Sequence, residues 1–226
     1  MNLILFDCDG TIVDSQHIIV AAMETAFAGA DLAPPHRAAI LSVVGLSLIP
    51  AITQLLPDPA HHHHAHALAE SYKGAFQHLR RDPAHYEPLY PGARHTIATL
   101  AERGDCVLGI ATGKSRRGVD VLLERENLSG LFATIQTADT HPSKPHPSMI
   151  TTACAETGTD ANHVIMIGDT TYDMEMACAA GVIALGVAWG YHDSAALTAA
   201  GASTVVADYA ELIPTLDRFF ATKGRS

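Results

Sequence analysis

Asp7 and Asp9 stand one residue apart in Asp7-Cys8-Asp9-Gly10-Thr11, directly after the apolar run at 3–6. If that run is a strand, alternate side chains share a face, so both carboxylates point one way and Cys8 the other. Two carboxylates this close repel each other unless a cation or a shared proton lies between them. Gly10 permits a tight turn whose backbone N–H groups can face an anion. These residue types at this spacing suit metal-assisted work on a phosphate or similar oxyanion.

Three further segments carry side chains of matching chemistry. Thr112-Gly113 follows the apolar run at 106–111 and precedes a helical pattern, an arrangement in which a hydroxyl and a loosened backbone meet an anion oxygen. Lys144 sits in Ser143-Lys144-Pro145, where the neighbouring prolines restrict the chain and hold the ammonium on one target. Gly168-Asp169 follows the run at 164–167, and Asp173 comes four residues later, in the first turn of the next helix or the loop before it. Each segment alone also suits a helix cap or a turn. Together they place four carboxylates, one hydroxyl and one lysine at the exits of separate strands. Oxygen ligands in that number select a hard cation, magnesium above all.

The elements that must position these residues alternate. Apolar runs at 3–6, 106–111, 164–167, 182–187 and 204–206 are interleaved with helical patterns at 93–103, 115–126, 147–157 and 172–180. That order predicts an α/β fold, a parallel sheet with helices on both faces and a site at the carboxyl ends of the strands. The stretch 15–88 departs from it. This stretch has no strand-like run and is punctuated by Pro34-Pro35, Gly45, Pro50, Pro57 and Pro59, so it reads as inserted helices. Within it, His61-His62-His63-His64-Ala65-His66 could capture zinc through neutral imidazoles, but no Cys or carboxylate cluster accompanies it and a solvated helix start is the simpler expectation. Val44-Gly45-Leu46 reads either as a turn facing the site or as a plain helix break.

Composition narrows the function classes. The 226 residues are 48% apolar and 17% charged, enough for a large buried core. A net charge of −10 argues against nucleic acid and anionic membrane as partners, because both repel an acidic surface. Cys8, Cys106, Cys154 and Cys178 lack metal-site spacing and are expected to be free thiols. No basic leader precedes the first strand and no apolar stretch reaches the length of a membrane span, so the expected location is cytoplasmic. Nothing in the residues separates monomer from dimer.

The ordered set Asp7-x-Asp9-Gly10-Thr11-x-x-Asp14-Ser15, Thr112-Gly113, Lys144-Pro145 and Gly168-Asp169-x-x-x-Asp173 resembles the haloacid dehalogenase superfamily, in its phosphoglycolate phosphatase-like branch. The likeness runs over nearly the whole chain, including Trp189-Gly190-Tyr191 and Ala200-Gly201-Ala202. It implies a Rossmann-like core over 1–14 and 89–226 and an α-helical cap over 15–88. It further implies that Asp7 is a nucleophile forming an aspartyl-phosphate and that Asp9 is the general acid and base. Thr112 and Lys144 would stabilise the phosphoryl oxygens, and Cys8, Gly10 and Gly113 would add phosphate contacts. Mg2+ would be held by Asp7, the Asp9 carbonyl and Asp169, with Asp173 acting through a water or through Lys144. The implied substrate is a small phosphorylated metabolite, phosphoglycolate being the nearest family example. A phosphosugar mutase of the β-phosphoglucomutase type, an inorganic pyrophosphatase and a non-catalytic regulatory protein share the scaffold. The proton donor at Asp9 favours phosphate esters over halide chemistry, and the filled positions disfavour the regulatory reading.

Overall fold

A computed structural model describes residues 1–56 and 58–223; Pro57, one of the expected break points, lies outside the described residues. Six strands form one parallel sheet: β1 (Asn2–Phe6), β2 (Cys106–Thr112), β3 (Phe132–Thr137), β4 (Val164–Gly168), β5 (Ile183–Val187) and β6 (Thr204–Val206), in the order β3-β2-β1-β4-β5-β6. With helices on both faces this is the α/β arrangement expected from the alternation and the Rossmann-like core that the resemblance implies. The chain order reverses direction between β1 and β4, and a reversal of this kind opens a crevice at the strands' carboxyl ends.

Period-two alternation sorts the central strands between two cores. Ile4 and Phe6 of β1 and Ile165 and Ile167 of β4 pack with α5 (Ala93–Ala101), α6 (Arg116–Arg125) and α10 (Leu212–Lys223). Leu3, Leu5, Val164 and Met166 turn the other way, towards α7 (Ser148–Thr157), α8 (Thr171–Ala179) and α9 (Ser194–Ala199). Burial on both faces explains why these strands are continuously apolar.

Strand β3 was absent from the pattern read along the chain. It is an edge strand whose inward positions carry Thr134 and Gln136. Glu156 of α7 makes that tolerable: its Oε2 accepts from Thr134 Oγ1 at 2.6 Å and from Gln136 Nε2 at 2.8 Å. A strand whose buried side chains beyond Phe132 are polar leaves no apolar run to detect.

Between β1 and β2 the chain forms α1 (Gln16–Ala28), α2 (Arg37–Ser42), α3 (Leu48–Leu55) and α4 (Ala65–Leu79), which share a separate apolar cluster including Ile19, Phe27, Ile40, Ile52 and Leu68. Pro50 does not break α3; it occupies the first turn, where the missing N–H has no helical partner to lose. The histidine tract forms a short 3-10 helix over Pro59–His64 that leads into α4, with His63 Nδ1 2.6 Å from the Ala60 carbonyl. The chain leaves and re-enters the sheet region side by side: Asp14 N–H donates to Pro88 O at 2.8 Å and Tyr90 N–H to Ile12 O at 3.0 Å. Among the described residues, no helix is long and apolar enough to cross a membrane.

Candidate active site

Asp7 follows β1 and Asp169 follows β4, the neighbouring strands at the reversal point. Asp173 lies in the first turn of α8, where its carboxylate and Thr170 form a capping box: Asp173 Oδ2 accepts from Thr170 Oγ1 at 2.7 Å and from Thr170 N–H at 3.1 Å. One carboxylate oxygen from each of Asp7, Asp169 and Asp173 lies within 4.8 Å of the others, and all three residues are buried. Among the described residues, this is the group of acidic, histidine and cysteine side chains placed to share an ion, and the histidine tract takes no part in it.

Lys144 is the cation inside this cluster. Its Nζ donates to Asp173 Oδ1 at 2.6 Å and lies 3.1 Å from Asp7 Oδ2, and the residue is only 1% exposed. Burial alone would discharge it; the Asp173 and Asp7 carboxylates overcome that and hold its pKa above that of an ordinary lysine. Burial pushes the Asp7 carboxyl up to about 6, against the pull of Lys144. Asp169 is raised by burial first and then by the Asp173 and Asp7 charges. Three carboxylates against one lysine leave 3 − 1 = 2 negative charges uncompensated when all are ionised. A divalent hard cation fits that oxygen-rich, doubly negative set.

The surrounding backbone has little room for side chains. Gly10 has φ +88°, and a Cβ there would collide with the Asp169 carboxylate, as would one on Gly190. Within the turn the Gly10 N–H donates to Val13 O at 2.9 Å, and its missing side chain leaves room for the Asp169 carboxylate. Cys8 acts through its backbone, its N–H donating to Asp7 Oδ1 at 2.7 Å while the thiol sits in the core, where burial raises its pKa. Thr11 Oγ1 donates to Asp169 Oδ1 at 2.8 Å and Tyr191 N–H to its Oδ2 at 2.9 Å, which fixes that carboxylate. Trp189 Nε1 secures the same turn through Thr11 O at 3.0 Å.

Asp9 stands apart from the three-carboxylate cluster. Its Oδ1 accepts from Ser15 Oγ at 2.5 Å and from Lys114 Nζ at 2.7 Å. Sequence reasoning assigned no role to Lys114, although it directly follows Thr112-Gly113. Glu87, which also escaped notice, lies behind it: buried, 3.4 Å from Lys114 Nζ and 3.0 Å from Arg80 Nε. Only the fold brings residues 9, 87 and 114 together. Asp7, Asp9, Thr112, Gly113 and Lys114 all line one cavity of about 650 Å³, whose far wall comes from α1 through α4. Gly113 lies directly under the turn after α2, where a Cβ would meet Gly45 O at 2.7 Å and Leu46 O at 2.8 Å. Val44-Gly45-Leu46 therefore faces the site.

Residues 4–187 match the family model described as haloacid dehalogenase-like hydrolase. The chain belongs to that family. Its sequence is 36% identical over 215 residues to a Dickeya dadantii protein named "Probable phosphatase IndB", covering 93% of this chain and 91% of that one. It is 28% identical to a phosphoglycolate phosphatase of Pseudomonas syringae pv. tomato, covering 94% of this chain and 79% of that protein. It is 30% identical to pyrophosphatase PpaX of Bacillus pumilus, covering 87% and 88%. A crystal structure of a hydrolase from Pseudomonas syringae superposes with a TM-score of 0.84 at 26% identity, covering 96% of this chain and 99% of that one. This member of the haloacid dehalogenase-like family is an enzyme of the phosphatase type.

Proposed function

We propose that the protein hydrolyses a small phosphorylated metabolite, a phosphomonoester of which phosphoglycolate is the reference case, with Mg2+ as cofactor and Asp7 as the nucleophile. The observation that carries this reading is the buried cluster of Asp7, Asp169 and Asp173 around Lys144, of which Asp7 lines the cavity. In the proposed reaction an Asp7 carboxylate oxygen attacks phosphorus, the ester oxygen departs, and an aspartyl-phosphate forms on Asp7. Asp9 supplies the proton the leaving oxygen needs and takes one from the water that later cleaves the aspartyl-phosphate. Lys144 and the Thr112 hydroxyl stabilise charge on the phosphoryl oxygens. Asp7, the Asp9 carbonyl and Asp169 would hold Mg2+, with Asp173 keeping Lys144 in place; the ion would supply positive charge that offsets the repulsion between carboxylate and phosphate.

The division proposed is a core of 1–14 and 89–226 and a cap of 15–88. The separate apolar cluster of α1–α4 and the paired crossing at Asp14–Pro88 support it. Such a cap excludes bulk water while the phosphoryl group passes from the ester to Asp7.

The test is release of inorganic phosphate by the purified protein from a panel of phosphate esters, with and without Mg2+. The expected result is turnover that chelation removes and added Mg2+ restores. The similarity to a pyrophosphatase places inorganic pyrophosphate in the same panel, as the second reading. Turnover that survives complete chelation, or its absence from every ester, would overturn the proposal.

A further inference from the structure

The cavity wall facing Asp7 is mostly apolar. Met23 of α1, Val43, Val44 and Leu46 of the turn after α2, and Tyr72 and Phe76 of α4 line it. Its volume of about 650 Å³ lies within the range of roughly 300 to 1,000 Å³ that holds whole organic ligands. A carboxylate-bearing ester would need a cation in the chamber to receive its second charge. Three of the four lysine and arginine side chains that line the chamber are already committed. Lys114 is bound to Asp9 at 2.7 Å and to Glu87 at 3.4 Å, and Arg80 to Glu87 at 2.9 Å. Both lie against the Phe76 ring, at 5.4 Å and 5.1 Å from its centroid. Lys73 is exposed and paired with Glu70, and Arg117 is exposed on α6 at the cavity's edge. One polar atom of the wall is unsatisfied: Ser47 Oγ is buried with no hydrogen-bond partner.

We propose that the organic group of the substrate is a bulky, largely apolar one, aromatic or branched, seated against Val44, Leu46, Tyr72 and Phe76, rather than a short acid or polyol. This rests on the phosphatase reading of the site and narrows it. Apolar surface moved from water onto this wall favours such an ester, whereas a second carboxylate placed against it would lose hydration beside a Lys114 and an Arg80 that Asp9 and Glu87 already hold. Ser47 Oγ allows one hydrogen bond to a polar substituent on that group.

The experiment compares kcat/KM for benzyl phosphate, phosphoglycolate and glycerol 3-phosphate, all esters of primary alcohols, in the presence of Mg2+. Acetyl phosphate serves as a probe of the chemistry that demands little of the organic pocket. Benzyl phosphate is expected to exceed both others by about tenfold or more, the discrimination an apolar pocket gives per group filled. Val44→Lys, a change at a half-buried wall position, is expected to move the ratio towards phosphoglycolate, and Phe76→Ala to lower kcat/KM for benzyl phosphate selectively. If phosphoglycolate equals or exceeds benzyl phosphate, the inference is overturned and the phosphatase reading stands. If acetyl phosphate and all the esters are inert, the reading of the site itself fails and the inference falls with it.

Discussion

Asp7→Asn is expected to lower phosphate release by at least roughly a thousandfold, the scale on which losing a covalent nucleophile acts. The substitution keeps the shape of the side chain, and an amide oxygen can still accept the Cys8 N–H that Asp7 Oδ1 accepts at 2.7 Å. It removes one charge from the buried cluster, so the melting temperature should not fall below that of the native chain. Loss of turnover in a folded variant therefore reports on chemistry rather than on stability. Native-like turnover would remove Asp7 from the reaction.

Asp169→Asn should separate cation binding from folding. Two unit charges about 4.8 Å apart at an effective dielectric of about 20 repel by on the order of 3 to 4 kcal/mol, and Asp169 faces both Asp7 and Asp173 at such range. The amide can keep the native contacts: its oxygen accepts the Tyr191 N–H, and its NH2 donates to Thr11 Oγ1, a hydroxyl that can reverse its role. The metal-free variant should then melt several degrees above the metal-free native protein, since each kcal/mol moves a domain of this size by about 2 to 4 °C. Millimolar Mg2+ should raise the melting temperature of the native protein and leave the variant unmoved. A variant that responds to Mg2+ as the native protein does would place the cation elsewhere.

What could be read from the chain follows a physical division. Asp7, Thr112 and Asp169 each follow or end a strand that is continuously apolar because both its faces are covered, so strand and functional residue signal each other. Strand β3 gave no such signal, because Thr134 and Gln136 are buried by pairing with Glu156 across about 20 residues of chain. Lys114 and Glu87 escaped for a related reason. The contact of Lys114 with Asp9 spans 105 residues and that of Lys114 with Glu87 spans 27, distances over which spacing carries no phase. Gly10 was recognised as a turn former, but its closer constraint, the Asp169 carboxylate packed against it, exists only once β1 and β4 are neighbours. The apolar cavity wall depends on how α1 and α4 pack, which periodicity within either helix does not state.

The most direct test of the account is to quench the enzyme in acid during turnover of acetyl phosphate and map the phosphorylated peptide by mass spectrometry. The account predicts one added phosphoryl group on the segment containing Asp7, absent from Asp7→Asn and lost on treatment with hydroxylamine, which cleaves acyl phosphates. A phosphoryl group on any other residue, or steady turnover with Asp7 never modified, would contradict it.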